Sequence, residues 1–316
     1  MRHANRAGFL AGSLALGLST ALPARAQTPA AKVRVGVTPT EVYAQAYYAA
    51  DEGFFQKGGL DADVETLGSG SAAANAIAGG SLDIGVTTPL LLANAILRNV
   101  PFVLIAAGPL STTKAPQSLI CVRAQSAIHS AKDLEGKTVG MIVLKTSQEL
   151  SLDAWLDKSG AQRATVKRVE VLFSEMEVAL DRGTIDAAII SEPFLSTSIR
   201  SGTIRAIGDP NQAIAPTYLL GAWFTTKAFA QQNPDTVKRY VDVMYTTAKW
   251  ANTHTAQSAL IVSKYMKIDP DITRTMNRIE YAETMRLPEM QALLDASYKY
   301  GYLPKPVVAA DLVLHA

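Results

Sequence analysis

Cysteine is almost missing: Cys121 is the only one in 316 residues, so no intramolecular disulfide can form and a core must hold the fold. Histidine is scarce too. Beyond residue 26 only His129, His254 and His315 remain, with no metal-ligand spacing among them, and no metal is expected. Charged residues make up 18% of the chain, with no Lys/Arg run long enough for a phosphate-binding face, which argues against a nucleic-acid partner. There is no G-x-S-x-G elbow and no His closely spaced with Cys or Ser, so nothing demands catalysis. Past residue 26 no apolar stretch is long enough to span a bilayer.

Residues 1–26 read as a cleavable secretory signal. Arg2 and Arg6 form a basic start, "FLAGSLALGLSTAL" is a short apolar run, and "PARAQ" carries an A-x-A site with cleavage expected after Ala26. Gln27 follows the site where a lipid anchor needs Cys, and the expected compartment is the periplasm. Removing the leader leaves 27 basic against 28 acidic groups, a formal −1, so the precursor's basic pI carries no information about partners. The processed chain is long enough to bury a substantial core without disulfide staples.

Strand and helix patterns then alternate, which predicts an α/β fold with largely parallel sheets. "KVRVGV" reads as a strand, and "TPTEVYAQAYYAADEG" as a helix with Thr38 as N-cap, Pro39 in the first turn and Gly53 at the C-terminal cap. "GSLDIGVTTP" at 80–89 is echoed by "GTIDAAIISEP" at 183–193. In each copy a helix ends at Gly, a turn leads to Asp, and a buried strand runs into a polar helix start. The echo predicts two similar lobes. The first is expected at 27–119 plus 223–316 and the second at 120–222, with extended crossings and hinges near 117–123 and 218–226 and Cys121 buried in the first crossing. One large doubly wound sheet is the alternative.

In open parallel sheets ligands bind beyond the carboxyl ends of strands, where helix N-termini begin. The residues there are Thr38, Thr40, Ser69, Gly70, Ser71, Thr87 and Thr88, and in the second half Lys145, Thr146, Ser147, Ser191 and Glu192. Hydroxyls and free N–H groups at several helix starts suit an anion or polar acceptor. Capping competes as an explanation: Thr146 with Glu149 is a capping box, and Thr88-Pro89 an ordinary helix start. Tyr43 and Trp223 are aromatic candidates for the same cleft, although such residues also serve as plain core. "GSGSAA" at 68–73 matches a dinucleotide fingerprint, but its acidic partner is misplaced, because Asp83 begins the next strand rather than ending it. No cofactor is expected.

Taken together, "A-x-E-G-F-F" (50–55), "G-G-L-D" (58–61), the small-residue helix that follows, "G-x-x-D-I-G" (80–85) and "KDLEGKTVGM" (132–141) resemble the type II periplasmic solute-binding proteins. The similarity is to the nitrate, sulfonate, taurine and thiamine-pyrimidine group, which serves ABC importers, and it spans about residues 33–235. It implies the two-lobed type II fold with a ligand cleft between the lobes, and delivery of a small molecule to an inner-membrane permease. A monomeric, non-catalytic protein for a small organic acid, carboxylate or sulfonate, is the leading expectation. Alternatives are a binder of a thiamine-type pyrimidine precursor, for which Glu192 is the natural partner, and an enzyme on the same fold. The leader argues against the enzyme, since enzymes of that kind work in the cytosol. A pyrimidine synthase also calls for a Cys-rich motif, and Cys121 stands alone.

Overall fold

The structure, a computed structural model, describes residues 30–314. The expected leader and His315 lie outside the described residues. In chain order the strands are β1 (Ala31–Val37), β2 (Leu60–Thr66), β3 (Ile84–Thr87), β4 (Phe102–Ala107), β5 (Pro109–Thr112), β6 (Ser118–Arg123), β7 (Thr138–Met141), β8 (Lys167–Glu170), β9 (Ala187–Ser191), β10 (Ile204–Gly208), β11 (Thr217–Leu219), β12 (Ala222–Thr226) and β13 (Glu280–Tyr281). The helices are α1 (Gln45–Asp51), α2 (Phe54–Lys57), α3 (Gly70–Ala78), α4 (Pro89–Leu97), α5 (Ser147–Lys158), α6 (Phe173–Asp181), α7 (Phe194–Arg200), α8 (Lys227–Gln232), α9 (Pro234–Thr253), α10 (Thr255–Met266), α11 (Pro270–Thr275) and α12 (Leu287–Lys299).

Two five-stranded sheets organise the molecule, ordered β2-β1-β3-β12-β4 and β8-β7-β9-β6-β10. The order is the same in both. Three parallel strands lead, and an antiparallel strand, β12 or β6, inserts fourth. These sheets make two lobes, which excludes a single continuous sheet. A small third sheet, β11-β5-β13, braces the passage between them.

The two Asp residues of the sequence echo do the same work in each lobe. Asp83 N–H donates to the Arg34 carbonyl at 2.9 Å, and Arg34 N–H donates to the Asp83 carboxylate at 2.8 Å. Asp186 exchanges the same two bonds with Thr138, both at 2.8 Å. Each carboxylate thus extends the ladder beyond the last strand pair, where a backbone N–H needs a partner. The residue before each Asp is matched as well. Leu82 and Ile185 lie over Gly36 and Gly140, and a Cβ on either glycine would meet their Cδ1 atoms at 2.6 and 2.8 Å.

Two sequence expectations need correction. Residues 117–123 and 218–226 are not bare crossings: β6 lies between β9 and β10, and β12 between β3 and β4. Both are apolar because interior strands are covered on two faces. Cys121 is fully buried, but inside the second sheet, where burial pushes its thiol up to about 12 with help from the nearby Glu192 charge. The expected first helix also starts late. Thr38 caps nothing; a 3-10 turn at Glu41–Tyr43 follows an extended Thr40, and α1 begins at Gln45. Gly53, with φ 70°, follows α1 in the left-handed conformation expected after a helix end.

C-terminal helices complete the first lobe. α9 buries Val237, Tyr240, Val243, Met244, Ala248 and Ala251, a stripe at helical spacing that packs with β1, β3 and α1. No helix among the described residues is long and apolar enough to cross a membrane.

Candidate ligand-binding site

A cavity of about 70 Å³ lies where the carboxyl ends of both sheets face each other. The first lobe contributes Thr38, Thr40 and Tyr43 after β1, Ser69, Gly70 and Ser71 after β2, and Thr87 and Thr88 after β3. The second lobe contributes Thr146 and Ser147 from the start of α5. Polar residues after parallel strands therefore converge from both lobes, the geometry typical of ligand sites in such sheets.

Local structure fixes several of these groups. Ser69 Oγ accepts from Ala72 N–H at 3.2 Å and caps α3, while Thr88 Oγ1 accepts from Leu91 N–H at 3.3 Å and caps α4. In both cases an acceptor lone pair is used and the O–H is left to donate. The absence of a side chain at Gly70 lets α3 close on β3, since a Cβ there would run into Thr87 Oγ1. Thr38 and Thr40 differ from the rest: each is at most 4% exposed, and neither Oγ1 has a hydrogen-bond partner among the described residues. An unpaired buried hydroxyl costs free energy, and here both border a cavity that a polar group can fill. Burial pushes the Tyr43 phenol well up, so it stays a neutral donor.

Three expected residues are elsewhere. Trp223 is fully buried in the first lobe's core, where its indole N–H donates to Gln45 Oε1 at 2.9 Å. Glu192 is buried too, but its carboxylate turns to its own helix and accepts from Ser196 N–H at 3.0 Å and Ser196 Oγ–H at 2.8 Å. Burial pushes Glu192 up to about 7, opposed by those bonds and by an Asn277 N–H, and reinforced by the Glu41 charge. Lys145 lines an adjoining chamber rather than this cavity. The Thr146–Glu149 capping box does not form. Thr146 donates to the Val143 carbonyl at 3.0 Å, and Glu149 instead accepts from Lys145 N–H at 2.6 Å.

Ser191, expected beside Glu192, is on the cavity wall; sequence reasoning missed Ser118, Asn211, Gln148, Phe173 and Leu220, which line it too. Ser118 and Ser191 pair across β6 and β9 with their Oγ atoms 2.5 Å apart. Asn211 is held by Tyr218, whose hydroxyl donates to Asn211 Oδ1 at 2.8 Å. Among the described residues, no Asp, Glu, Lys, Arg or His lines the cavity. The wall is neutral, rich in hydroxyls, and bordered by the first turns of α3, α4 and α5, each at least nine residues long. Helix N-termini carry partial positive charge, so such a chamber favours an acceptor-rich group without a counter-ion.

Comparison with known proteins places this geometry. A family model described as NMT1/THI5 like matches residues 41–258. A Brucella abortus (strain 2308) protein, described as a candidate binding protein, is 29% identical over 270 residues, covering 84% of this chain and 80% of its own. The alkanesulfonate-binding protein SsuA of Xanthomonas axonopodis pv. citri, solved bound to MOPS, is similar in fold. Its TM-score is 0.76 at 18% identity, over 90% of this chain and 99% of that one. The desulfurization enzyme DszB is similar in fold as well, with TM-score 0.68 at 14% identity, over 90% of this chain and 96% of its own.

Proposed function

This chain belongs to the NMT1/THI5-like family and has the type II periplasmic binding protein fold, and from these premises we propose that it is the solute-binding component of an ABC-type importer. It captures a small organic anion, carboxylate or sulfonate, between its lobes and delivers it to an inner-membrane permease. It acts in the periplasm as a monomer, after cleavage of the leader.

One observation carries the anion reading. Among the described residues, Thr38 and Thr40 offer two buried hydroxyls without partners, in a chamber that also collects three helix starts and no charged side chain. Micromolar binding needs about 8 kcal/mol. Hydrogen bonds to a charged group contribute about 1.5–3 kcal/mol each, so a handful of donors suffices. The pyrimidine alternative rests on Glu192 accepting from an exocyclic amine, and that carboxylate is committed to capping α7.

DszB shows that this fold also carries catalysis, so absence of turnover needs its own argument. Among the described residues, the cavity wall has hydroxyls and amides but no carboxylate, imidazole or amine to take a proton. The proposed role is therefore binding without chemistry. The test is calorimetry with ethanesulfonate, propionate and 4-amino-5-hydroxymethyl-2-methylpyrimidine, with the bound compound recovered and weighed by mass spectrometry. Saturable binding of an acid recovered unchanged supports the reading; binding of the pyrimidine alone, or an altered product, overturns it.

A further inference from the structure

The neutral cavity is not the end of the available space. Ser71, Leu91 and Thr146 line both it and a second chamber of about 700 Å³. The two chambers therefore meet at a waist made by the starts of α3, α4 and α5. A water needs about 10–15 Å³ of such volume, so the inner 70 Å³ has room for one acid group and little carbon. A solute with a longer body finds adjoining space past the waist, in the larger chamber.

Charge in that chamber is unevenly compensated. Its charged side chains are Arg98, Lys145, Glu149 and Asp153. Both acids are already engaged. Glu149 accepts from Lys145 N–H and lies 3.6 Å from Arg168, and Asp153 pairs with Arg168 and, at 3.1 Å, with Arg163. The Tyr302 hydroxyl also donates to Asp153, at 2.8 Å. Two acids nearby are engaged in the same way: Asp157 accepts from the Tyr300 hydroxyl at 3.0 Å, and Glu170 from Leu144 N–H at 2.9 Å. Arg98 and Lys145 have neither an ion pair nor a side-chain hydrogen bond among the described residues.

The two cations face the chamber from opposite lobes. Arg98 is the C-cap of α4, a position where a cation is favoured by the helix dipole regardless of ligand. Lys145 has no such explanation. Its φ of 58° puts it in the left-handed region, where glycine or asparagine is easier to accommodate. A lysine is thus held where the turn itself favours a different residue.

We propose that the solute is bipartite, with one oxyanion head in the neutral chamber and a second anionic group lying between Arg98 and Lys145. This rests on the solute-binding reading above and adds the chemistry of the far end.

The test is calorimetry at low ionic strength with linear alkanesulfonates of three to eight carbons and the matching α,ω-disulfonates. The wild type is compared with the Arg98→Gln/Lys145→Asn double variant, asparagine being chosen because it tolerates the left-handed turn. Exposed ion pairs are individually weak, so at the best-fitting length the disulfonate is expected to bind about tenfold tighter than its monosulfonate. That gap should close in the double variant, with monosulfonate affinity unchanged, and shrink with added salt. If the double variant loses its melting transition, each single variant is expected to narrow the gap about threefold. Equal affinity for mono- and disulfonates at every length, with both binding, overturns this proposal and leaves the anion-binding reading standing. Binding of neither series overturns both.

Discussion

Glu41 N–H donates to the carbonyl oxygen of Glu192 at 3.1 Å, tying the first lobe to the second where two buried carboxylates come close. Glu41 is balanced by Arg278 at 2.8 Å and by the Tyr48 hydroxyl at 2.9 Å. Glu192 has no cation among the described residues, and its proton affinity carries the consequence.

Glu192 is raised from the ordinary 4.5 to about 7 in the native protein. The native state therefore holds the proton more tightly than the unfolded chain. The stabilisation is complete below about pH 4.5 and is lost as pH rises through about 7, with a ceiling of about 3 kcal/mol. Melting temperature is expected to fall between pH 5 and 7.5 in the wild type and to fall less in Glu192→Gln. Parallel pH profiles for the two proteins would refute this.

Thr38→Val and Thr40→Val should separate stability from binding. Each replaces a buried hydroxyl without a partner by a methyl of similar size, so urea unfolding should shift by less than about 1 kcal/mol, or toward greater stability. Anion affinity should drop at least about tenfold per substitution. Unchanged affinity in both variants would remove these hydroxyls from the site.

Trp223→Phe should do the reverse. It breaks the bond to Gln45 inside the core and is expected to cost about 1–3 kcal/mol, with ligand affinity unaltered. A Kd that rises with little loss of stability would return Trp223 to the cleft.

Asp83→Ala and Asp186→Ala each strip the partner from one ladder N–H, in different lobes, and each is expected to cost about 1–3 kcal/mol in chemical unfolding. Arg34 also contacts Asp83, at 2.6 Å, but it is half exposed and adds little. Costs differing by several kcal/mol would mean that the repeated residues do not share a role.

The sequence made the fold legible where its signals were local. Hydroxyl residues cluster at the carboxyl ends of β1, β2 and β3, and looking there finds Thr38 just after β1, Ser69 in the turn after β2 and Thr87 closing β3, all on the cavity wall. That search fails for antiparallel strands, which present their first residue to the site. Ser118 begins β6 and Leu220 precedes β12, so both stand at the wrong end for a rule built on parallel strands. Asn211 was hidden because β10, with only Ile204 buried, has no strong strand pattern. Trp223 misled for a related reason: an interior strand has two covered faces, and its pairing with Val86 and Ala106 decided which one it filled.

The insertion of β12 between β3 and β4 also sets an order of assembly. All five strands of the second sheet lie within residues 118–208, so that sheet has every strand it needs once this stretch has been synthesised. The first sheet does not. Its opening strands are made first, yet β3 and β4 have no common neighbour until residues 222–226 arrive, and α9 follows later still. Until then two apolar strand edges are open to wrong partners. A chain cut after residue 208 therefore contains one finished sheet and one with a missing centre, and the half made earliest is the half completed last.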